Sequence, residues 1–295
     1  MRVLDKTLKR GMMAGAALGV LTALLAGLGA GRVQGAEAGP GTAYWVRDDA
    51  GVHRYCQENG QILTNGVTPD GYYVDATGAW IPDLYDVSKF TSIPAEAKSL
   101  MVIEGHGTAA RASFYVKEEV PASLEQESQP SYQWKKVTDS GGYVGRNGIG
   151  KEKEGDERTP RGLYTLDEAF GTKPGLSTFA VPYLQVDDGH YWVGDNQSPY
   201  YNTMVNIRDV GNVFDTAASE HLSTYGGKAY HYCMAVGFNK EQRPGKGSAI
   251  FLHCTDGPGT GGCIAIPEAS MVKVLENIVM PAYILIDEGE NLKNY

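Results

Sequence analysis

The chain has 295 residues, and its 35 acidic side chains outnumber its 26 lysines and arginines, which gives a formal net charge of -9 at pH 7. No basic block follows the N-terminal segment, so the charge argues against nucleic acid as a partner. Its 18 tyrosines and 38 glycines favour short strands and turns over a helical bundle. We therefore expect a mainly β protein.

Residues 1–38 have the features of an export signal. Four basic side chains among the first ten residues precede an uncharged stretch from Gly11 to Gly31. The sequence Ala36-Glu37-Ala38 fits a signal-peptidase site, so we predict cleavage after Ala38 and secretion. Because the uncharged stretch reaches the roughly 20 residues that can cross a bilayer, an uncleaved membrane anchor is the alternative. This segment is the only part of the chain for which we predict membrane contact.

Residues 42–82 are predicted to form a small module of β-hairpins. Turn dipeptides such as Asn59-Gly60, Asn65-Gly66 and Asp70-Gly71 alternate with short aromatic strands. The stretch GYYVDATGAW, residues 71–80, resembles the aromatic and glycine-rich repeats of Gram-positive cell-wall-binding and glucan-binding proteins. The resemblance implies glycan binding by the aromatic residues Tyr44, Trp45, Tyr72, Tyr73 and Trp80. Since such repeats need several stacked copies, the aromatic residues could equally dock the module onto the main domain.

A linker over residues 83–95 is predicted from Pro94 and from the lack of any periodic pattern. The second unit, residues 96–288, begins with two strands, SLMVIEG and ASFYVKEEV. Lys151 to Arg158 mixes both signs of charge and is predicted to be a solvated loop. His106 is interpreted as a loop histidine whose hydrogen bonds are satisfied locally, and His231 as a residue on one side of a strand.

The end of the second unit is organised around the stretch HCTDGPGTGGC, residues 253–263. The strand AIFLH ends at His253, the strand CIAI begins at Cys263, and the glycine-rich loop between them can bring both side chains to one rim. Pro267 then starts a helix with an apolar face of Met271, Val274, Leu275 and Ile278. The last predicted strand is AYILI, residues 282–286.

Cys263 and His253 suit nucleophilic catalysis. A thiol of ordinary pKa, ~8.5, is only slightly ionised at neutral pH, and a neighbouring imidazole can take its proton. A Gly-Gly-Cys turn can aim the backbone N–H groups of Gly262 and Cys263 at a developing oxyanion, because no side chain stands in the way. This favours attack of a cysteine on an amide carbonyl.

Two other readings of the cysteines compete with catalysis. An exported protein is expected to pair its cysteines, and a bridge between Cys254 and Cys263 would block the nucleophile. A zinc site would have to use the set His231, Cys233, His253, Cys254 and Cys263, and Cys56 lies far from all of them in sequence. None of the ligand spacings of structural zinc sites occurs, so we expect no metal and no cofactor.

The strand-end histidine, the loop and the run Thr260-Gly261-Gly262-Cys263-Ile264 resemble the active-site signature of the L,D-transpeptidase catalytic-domain family. The segments VGRNGIG, TPRGLYTLDEAFG, DNQSPYYN and GKGSAIFLH resemble this family too, so the resemblance covers residues 96–288. It implies a β-sandwich-like domain with few short helices, with Cys263 as nucleophile and His253 as general base. The backbone carbonyl of Cys254 would orient the imidazole. The family motif carries a histidine where Gly261 stands here, and the loop is shorter than in many members.

The resemblance implies an exported, cell-wall-associated peptidoglycan L,D-transpeptidase. Cys263 would form an acyl-enzyme with a stem tetrapeptide, release D-Ala and transfer the acyl group to an amine of a neighbouring stem. With water as acceptor, the same residues would give an L,D-carboxypeptidase. The alternative from another class is a non-catalytic cell-wall-binding protein with a degenerate catalytic domain. The expected partners are peptidoglycan stem peptides and cell-wall glycan.

Overall fold

The computed structural model describes residues 42–64, 66–68, 72–75, 77–81, 85–120 and 131–295. The predicted export segment, residues 1–38, lies outside these ranges. None of the helices in the described ranges combines the length and the apolar character that a membrane span requires.

The N-terminal module consists of two small antiparallel sheets. Strands β1 (Tyr44–Arg47) and β2 (His53–Cys56) form a hairpin, and β3 (Gly66–Val67), β4 (Tyr73–Val74) and β5 (Trp80–Ile81) form a meander. The turn predicted at Asn59-Gly60 is present after β2, whereas the β1–β2 hairpin turns at residues 48–51, where no dipeptide predicted it. Asn65, Asp70 and Gly71 of the other two predicted turns lie outside the described residues. Strand β3 also contacts two strands of the second unit, β7 (Ala109–Val120) and β8 (Ser131–Tyr143).

The second unit contains most of the strands. In chain order they are β6 (Ser99–His106), β7 (Ala109–Val120), β8 (Ser131–Tyr143), β9 (Gly162–Gly171), β10 (Tyr183–Gln185), β11 (His190–Trp192), β12 (Met204–Asn206), β13 (Glu220–His221), β14 (Cys233–Val236), β15 (Phe251–Cys254), β16 (Ile264–Ile266) and β17 (Ala282–Glu288). The helices are α1 (Ile207–Val210) and α2 (Glu268–Asn277), with short 3-10 turns at Val87–Lys89, Thr216–Ala218, Gly227–His231 and Gly289–Asn294.

Nine of these strands form one sheet that closes on itself. Its order is β10-β9-β14-β15-β16-β8-β7-β6-β17, and β17 pairs back with β9, so eight strands make a closed ring with β10 at one edge. Closure leaves few free strand edges, and the enclosed space is filled by apolar side chains. The prediction of a mainly β fold with few short helices is confirmed.

Helix α2 packs against β8 and β15 of this ring with the apolar face that the spacing predicts. Met271, Val274 and Leu275 are fully buried, and Ile278 at the helix end is buried with them. They belong to the same apolar cluster as residues of β6, β7, β15 and β17. The face at helical spacing is therefore core.

A separate three-stranded sheet, β12-β11-β13, is formed by the part of the chain between β10 and β14. Trp192 of β11 anchors it to the main sheet. The Trp192 ring lies 4.8 Å from the ring of Phe251 in β15 and stacks on Phe170 of β9. The small sheet therefore covers the end of β15 that leads to His253.

The segment predicted as a linker packs on the sheet instead of acting as a spacer. Tyr85, Val87, Phe90 and Ile93 lie against the cluster of Leu100, Val102 and Leu285, together with Tyr295 at the chain end. The carbonyl of Tyr295 accepts hydrogen bonds from the backbone N–H groups of Thr91 and Ser92. Burial of these apolar side chains lowers the free energy of the folded state. The linker is predicted from Pro94 and from the lack of a periodic pattern, and neither feature indicates this burial.

The charge run Lys151 to Arg158 is not simply a solvated loop. The side chain of Lys151 is 2% exposed, and its Nζ lies 2.9 Å from Oδ1 of Asp156. Burial opposes ionisation of Asp156, but hydrogen bonds from Glu152 N–H and from Lys151 hold its pKa well below the usual range. A run of mixed charges predicts a solvated loop when its side chains have no partners within the protein. Here Lys151 and Asp156 form an ion pair that is largely shielded from solvent.

Candidate active site

Two neighbouring parallel strands hold His253 and Cys263. Leu252 of β15 pairs with Ile264 of β16, and His253 pairs with Ala265. Cys263 directly precedes β16 and lies two positions before Ala265, the residue opposite His253. Side chains alternate between the faces of a sheet with a period of two, so His253 and Cys263 project from the same face.

His253 is held in a single tautomer. Its Nδ1 lies 2.7 Å from the carbonyl oxygen of Cys254, and because a carbonyl can only accept, Nδ1 must carry the proton. Burial lowers the pKa of His253, so the imidazole is neutral at pH 7 with Nε2 as an acceptor. The ring of Tyr230 stands edge-on, 5.7 Å from the imidazole.

The thiol of Cys263 is protonated and enclosed in this structure. Sγ lies 3.2 Å from the carbonyl oxygen of Ala249, to which the thiol donates, and 3.3 Å from the backbone nitrogen of Phe251, from which it accepts. Burial, followed by the negative charge of Glu220, raises the pKa of Cys263 to about 12. Only 8% of the residue is exposed, so reaction requires the thiol to leave the Ala249 carbonyl.

Two buried hydroxyl groups fix the turn before Cys263. The carbonyl oxygen of Cys263 accepts from Oγ1 of Thr260 at 2.7 Å and from Oγ1 of Thr159 at 3.2 Å. Thr159 lies in the segment TPRGLYTLDEAFG, which brings that segment against the nucleophile. The backbone of Gly262 has φ +143°, and a Cβ there would lie 2.9 Å from the carbonyl oxygen of Arg158. This approach requires glycine.

One part of the predicted oxyanion site needs correction. The backbone N–H of Gly262 donates to Oγ1 of Thr260 at 3.1 Å, so it is not directed at a vacant oxyanion position. The reason is local, because the threonine two positions earlier is well placed to accept from this N–H. For the N–H of Cys263 the oxyanion role stays a prediction.

Lys151 brings a positive charge close to the same turn. Its ammonium lies 3.6 Å from the position that a Cβ on Gly262 would take, and its Cε fills the space beside Gly247. Lys151 opposes the effect of burial on the Cys263 thiol. Sequence reasoning missed this residue, because the mixed charges around it indicate a surface loop.

Glu220 and Tyr230 are two further side chains that the sequence did not single out. The hydroxyl of Tyr230 donates to Oε2 of Glu220, and Tyr230 is buried in the same cluster as Cys263 and Phe251. Burial raises the pKa of Glu220 to about 7. Both residues lie far from Cys263 in sequence, and no local pattern around SEHL or AYHYC indicates a role in the site.

All four cysteines are free thiols, and all are buried. The Sγ of Cys254 lies 3.5 Å from the carbonyl oxygen of Tyr232 and is not bonded to Cys263. Its position next to His253 in β15 places its side chain on the opposite face from the imidazole. Within the described ranges, no group of three or more His, Cys, Asp or Glu residues is arranged to hold a metal ion.

The other histidines lie in separate environments. Nε2 of His106 contacts Oε1 of Glu104 at 2.9 Å, and His190 contacts Asp187 at 2.7 Å. The prediction that His231 lies on a strand is wrong. His231 ends a 3-10 turn before β14, and its Nδ1 contacts Glu268 at the start of α2 at 2.7 Å. Apolar alternation around it reflects packing of a tight turn.

The aromatic residues of the N-terminal module form a connected surface. Trp45 meets Tyr55 and Tyr72 edge-to-face at 5.3 and 5.7 Å, and Tyr72 meets Trp80 at 6.1 Å. Tyr72 and Trp80 are exposed by 44% and 37%. Tyr44 is half-buried at the start of β1, and Tyr73 lies in β4. Part of the predicted glycan-binding set is therefore accessible to a ligand.

Comparison with known proteins identifies the second unit. The family model described as YkuD, L,D-transpeptidase catalytic domain, matches residues 130–285. No curated protein matches the chain. Among solved structures, the chain is similar to a variant of the helical cell shape determining protein Pgp2 from Campylobacter jejuni, with 15% identity and a TM-score of 0.34. That similarity covers 66% of this chain and 49% of the other, so the chain spans about half the length of that structure.

Proposed function

The chain belongs to the L,D-transpeptidase catalytic-domain family, whose model covers more than half of it, and on this basis we propose that it is an exported peptidoglycan L,D-transpeptidase. Cys263 is the nucleophile and His253 the general base. The observation that supports these roles best is the hydrogen bond from His253 Nδ1 to the Cys254 carbonyl, at 2.7 Å. It leaves Nε2 as the proton acceptor on the face that carries Cys263.

The first half-reaction follows from these groups. The Cys263 thiol leaves the Ala249 carbonyl and gives its proton to the neutral imidazole of His253 as substrate enters. The sulfur attacks the carbonyl of the third residue of a stem tetrapeptide, and the terminal D-Ala leaves with the proton from His253. Because burial holds the thiol pKa near 12, almost no thiolate exists at pH 7 before the imidazole takes the proton. The enclosed thiol is thereby protected from unproductive reactions.

In the second half-reaction an amine of another stem accepts the acyl group. If water is the acceptor, the product is that of an L,D-carboxypeptidase. We propose that the enzyme is secreted, with residues 1–38 as its signal, and that it works at the cell wall. Residues 42–82 and 96–288 act as a wall-binding module and a catalytic domain, and the exposed aromatic residues Tyr72 and Trp80 support glycan contact by the module.

Mass spectrometry of muropeptides incubated with the purified protein tests this function. D-Ala loss with a cross-linked product is the expected result, and hydrolysed tripeptide alone would identify a carboxypeptidase. The intact protein should also gain the mass of an acyl group, and Cys263→Ala should not. A wild-type protein that never gains this mass would instead be a wall-binding protein with an inactive catalytic domain.

A further inference from the structure

Glu220 faces the nucleophile from the small sheet. It lies in β13 directly opposite Trp192 of β11, and opposed residues of an antiparallel pair project from the same face. Trp192 is buried in the cluster that contains Cys263 and Phe251. The carboxyl group of Glu220 therefore stands on the side of the small sheet that covers the active site.

Tyr230 connects this carboxyl group to the catalytic histidine. Its hydroxyl donates to Oε2 of Glu220, while its ring packs 5.7 Å from the ring of His253 and 5.6 Å from that of Phe251. A single side chain thus spans the distance between the carboxyl group and the general base. Glu220 itself is only half-buried, so part of the residue is accessible to a ligand.

The surroundings of Glu220 suit a cation. Within the described part of the chain Glu220 forms no ion pair, and the charge of Glu154 adds to its own. The charge of Glu220 raises the pKa of Tyr225, which is 66% exposed, and the charge of Arg146 opposes this effect. An acidic group beside the nucleophile hinders thiol ionisation, so it does not serve the first half-reaction.

The second half-reaction provides a use for this acid. A primary ammonium group of lysine type has a pKa near ~10.4, so at neutral pH it lacks the lone pair that attacks a thioester. A neighbouring carboxylate can bind the ammonium and remove a proton. We propose that Glu220 is the binding group and general base for the acceptor amine, an inference that rests on the proposed transpeptidase function.

The ammonium group gives one proton to the Glu220 carboxylate, and the neutral nitrogen forms a C–N bond to the acyl carbon. The C–S bond breaks, and its electron pair returns to Sγ of Cys263. The remaining excess proton on nitrogen passes through His253 to sulfur, which restores the thiol. Glu220 then releases its proton to water. Water as an acceptor gains nothing from a site for a cation, so Glu220 favours transfer over hydrolysis.

The test compares wild type with Glu220→Gln, which keeps the size and the hydrogen bond from Tyr230. The acyl-enzyme is formed on a stem tetrapeptide, and its partition between a primary-amine acceptor and water is measured from pH 6 to pH 11. The expected result is acylation at least as fast as in wild type, because the variant lacks the charge that hinders thiol ionisation, and a transfer-to-hydrolysis ratio about 100-fold lower near pH 7.5. Above the pKa of the free amine, ~10.4, the ratio of the variant should approach that of wild type.

Glu220→Asp should recover part of the ratio, and Glu241→Gln, a change at an exposed carboxylate away from the site, should leave it unchanged. Acylation by each variant also reports that the domain is folded. A ratio that Glu220→Gln leaves unchanged at every pH would overturn the inference. So would a ratio reduced equally at neutral and alkaline pH, because that indicates a structural role. Wild type that forms no acyl-enzyme would overturn the proposed function and this inference with it.

Discussion

The carbonyl oxygen of Ala249 lies 3.2 Å from the sulfur of Cys263 and accepts a hydrogen bond from the thiol. Ala249 has φ +53°, a conformation that is uncommon for a residue with a side chain. The Nδ2 and Oδ1 atoms of Asn202 bond the carbonyl of Phe238 and the N–H of Ala249, which stabilises this backbone. The resting thiol is therefore oriented by the segment before β15, and substrate must release it.

Replacing Cys263 by Ala should abolish acyl-enzyme formation and leave the fold intact, because the change removes no charge and only the two hydrogen bonds that the sulfur makes with the Ala249 carbonyl and the Phe251 N–H. Cys254→Ser should retain most of the activity, since serine can also donate to the Tyr232 carbonyl. Intact-protein mass and melting temperature measure both effects. Equal loss of activity in the two variants would mean that the wrong sulfur has been assigned.

Replacing His253 by Ala should lower the rate of Cys263 alkylation at neutral pH by at least ~10². The variant thiol must ionise unaided, and burial raises its pKa to about 12, so its reactivity should rise steadily through the alkaline range. The measurement is the pH profile of alkylation. His231→Ala is the control, because His231 pairs with Glu268. Identical profiles for wild type and His253→Ala would exclude His253 as the base.

Gly262→Ala and Gly261→Ala form a matched pair. A Cβ at Gly262 would meet the Arg158 carbonyl at 2.9 Å at a φ of +143°, whereas a Cβ at Gly261 has no atom within 4 Å. Gly262→Ala should lower the free energy of unfolding by about 1–3 kcal/mol and slow acylation. Gly261→Ala should change stability by less than ~1 kcal/mol. Urea unfolding distinguishes them, and equal stabilities would show that the turn adapts freely.

The buried pair of Lys151 and Asp156 should make stability depend on pH. The folded state holds the pKa of Asp156 below its usual range, so its contribution is present above about pH 4 and is lost as pH falls toward the folded-state pKa. Asp156→Asn should reduce this loss, while Asp209→Asn, at an exposed position in α1, should not. Unfolding free energies between pH 2 and pH 6 measure the effect. Parallel curves for wild type and Asp156→Asn would contradict it.

The aromatic surface of the N-terminal module should bind insoluble cell wall. Trp80→Ala combined with Tyr72→Ala should weaken sedimentation with cell wall about tenfold, and activity on small soluble muropeptides should be unchanged. Tyr132→Ala, at an exposed tyrosine of the second unit, is the control. Deletion of residues 44–80 separates the alternatives further, because a lower melting temperature without any change in wall binding would indicate that the module only docks on the catalytic domain.

Local patterns predict much of this molecule. The spacing of Met271, Val274 and Leu275 gives the buried face of α2, and the dipeptide Asn59-Gly60 gives the turn that follows β2. The helix face and the turn each depend on residues that are close together in the sequence, so the periodicity of apolar residues and the preferences of turn residues predict them. The same local reading fails at Lys151, because the burial of a charge depends on what packs over it.

The sequence by itself determined the mainly β fold, the family and the pairing of a strand-end histidine with a cysteine across a glycine loop, since each resides in a short run of residues. Only the tertiary structure decided that Thr260 occupies the N–H of Gly262, that Ala249 holds the thiol, and that Glu220 reaches the site through Tyr230. These contacts join segments that are distant in the chain or depend on exact backbone direction. The Thr260 contact depends on the course of the backbone in its own turn, and the other two form when folding brings their segments together.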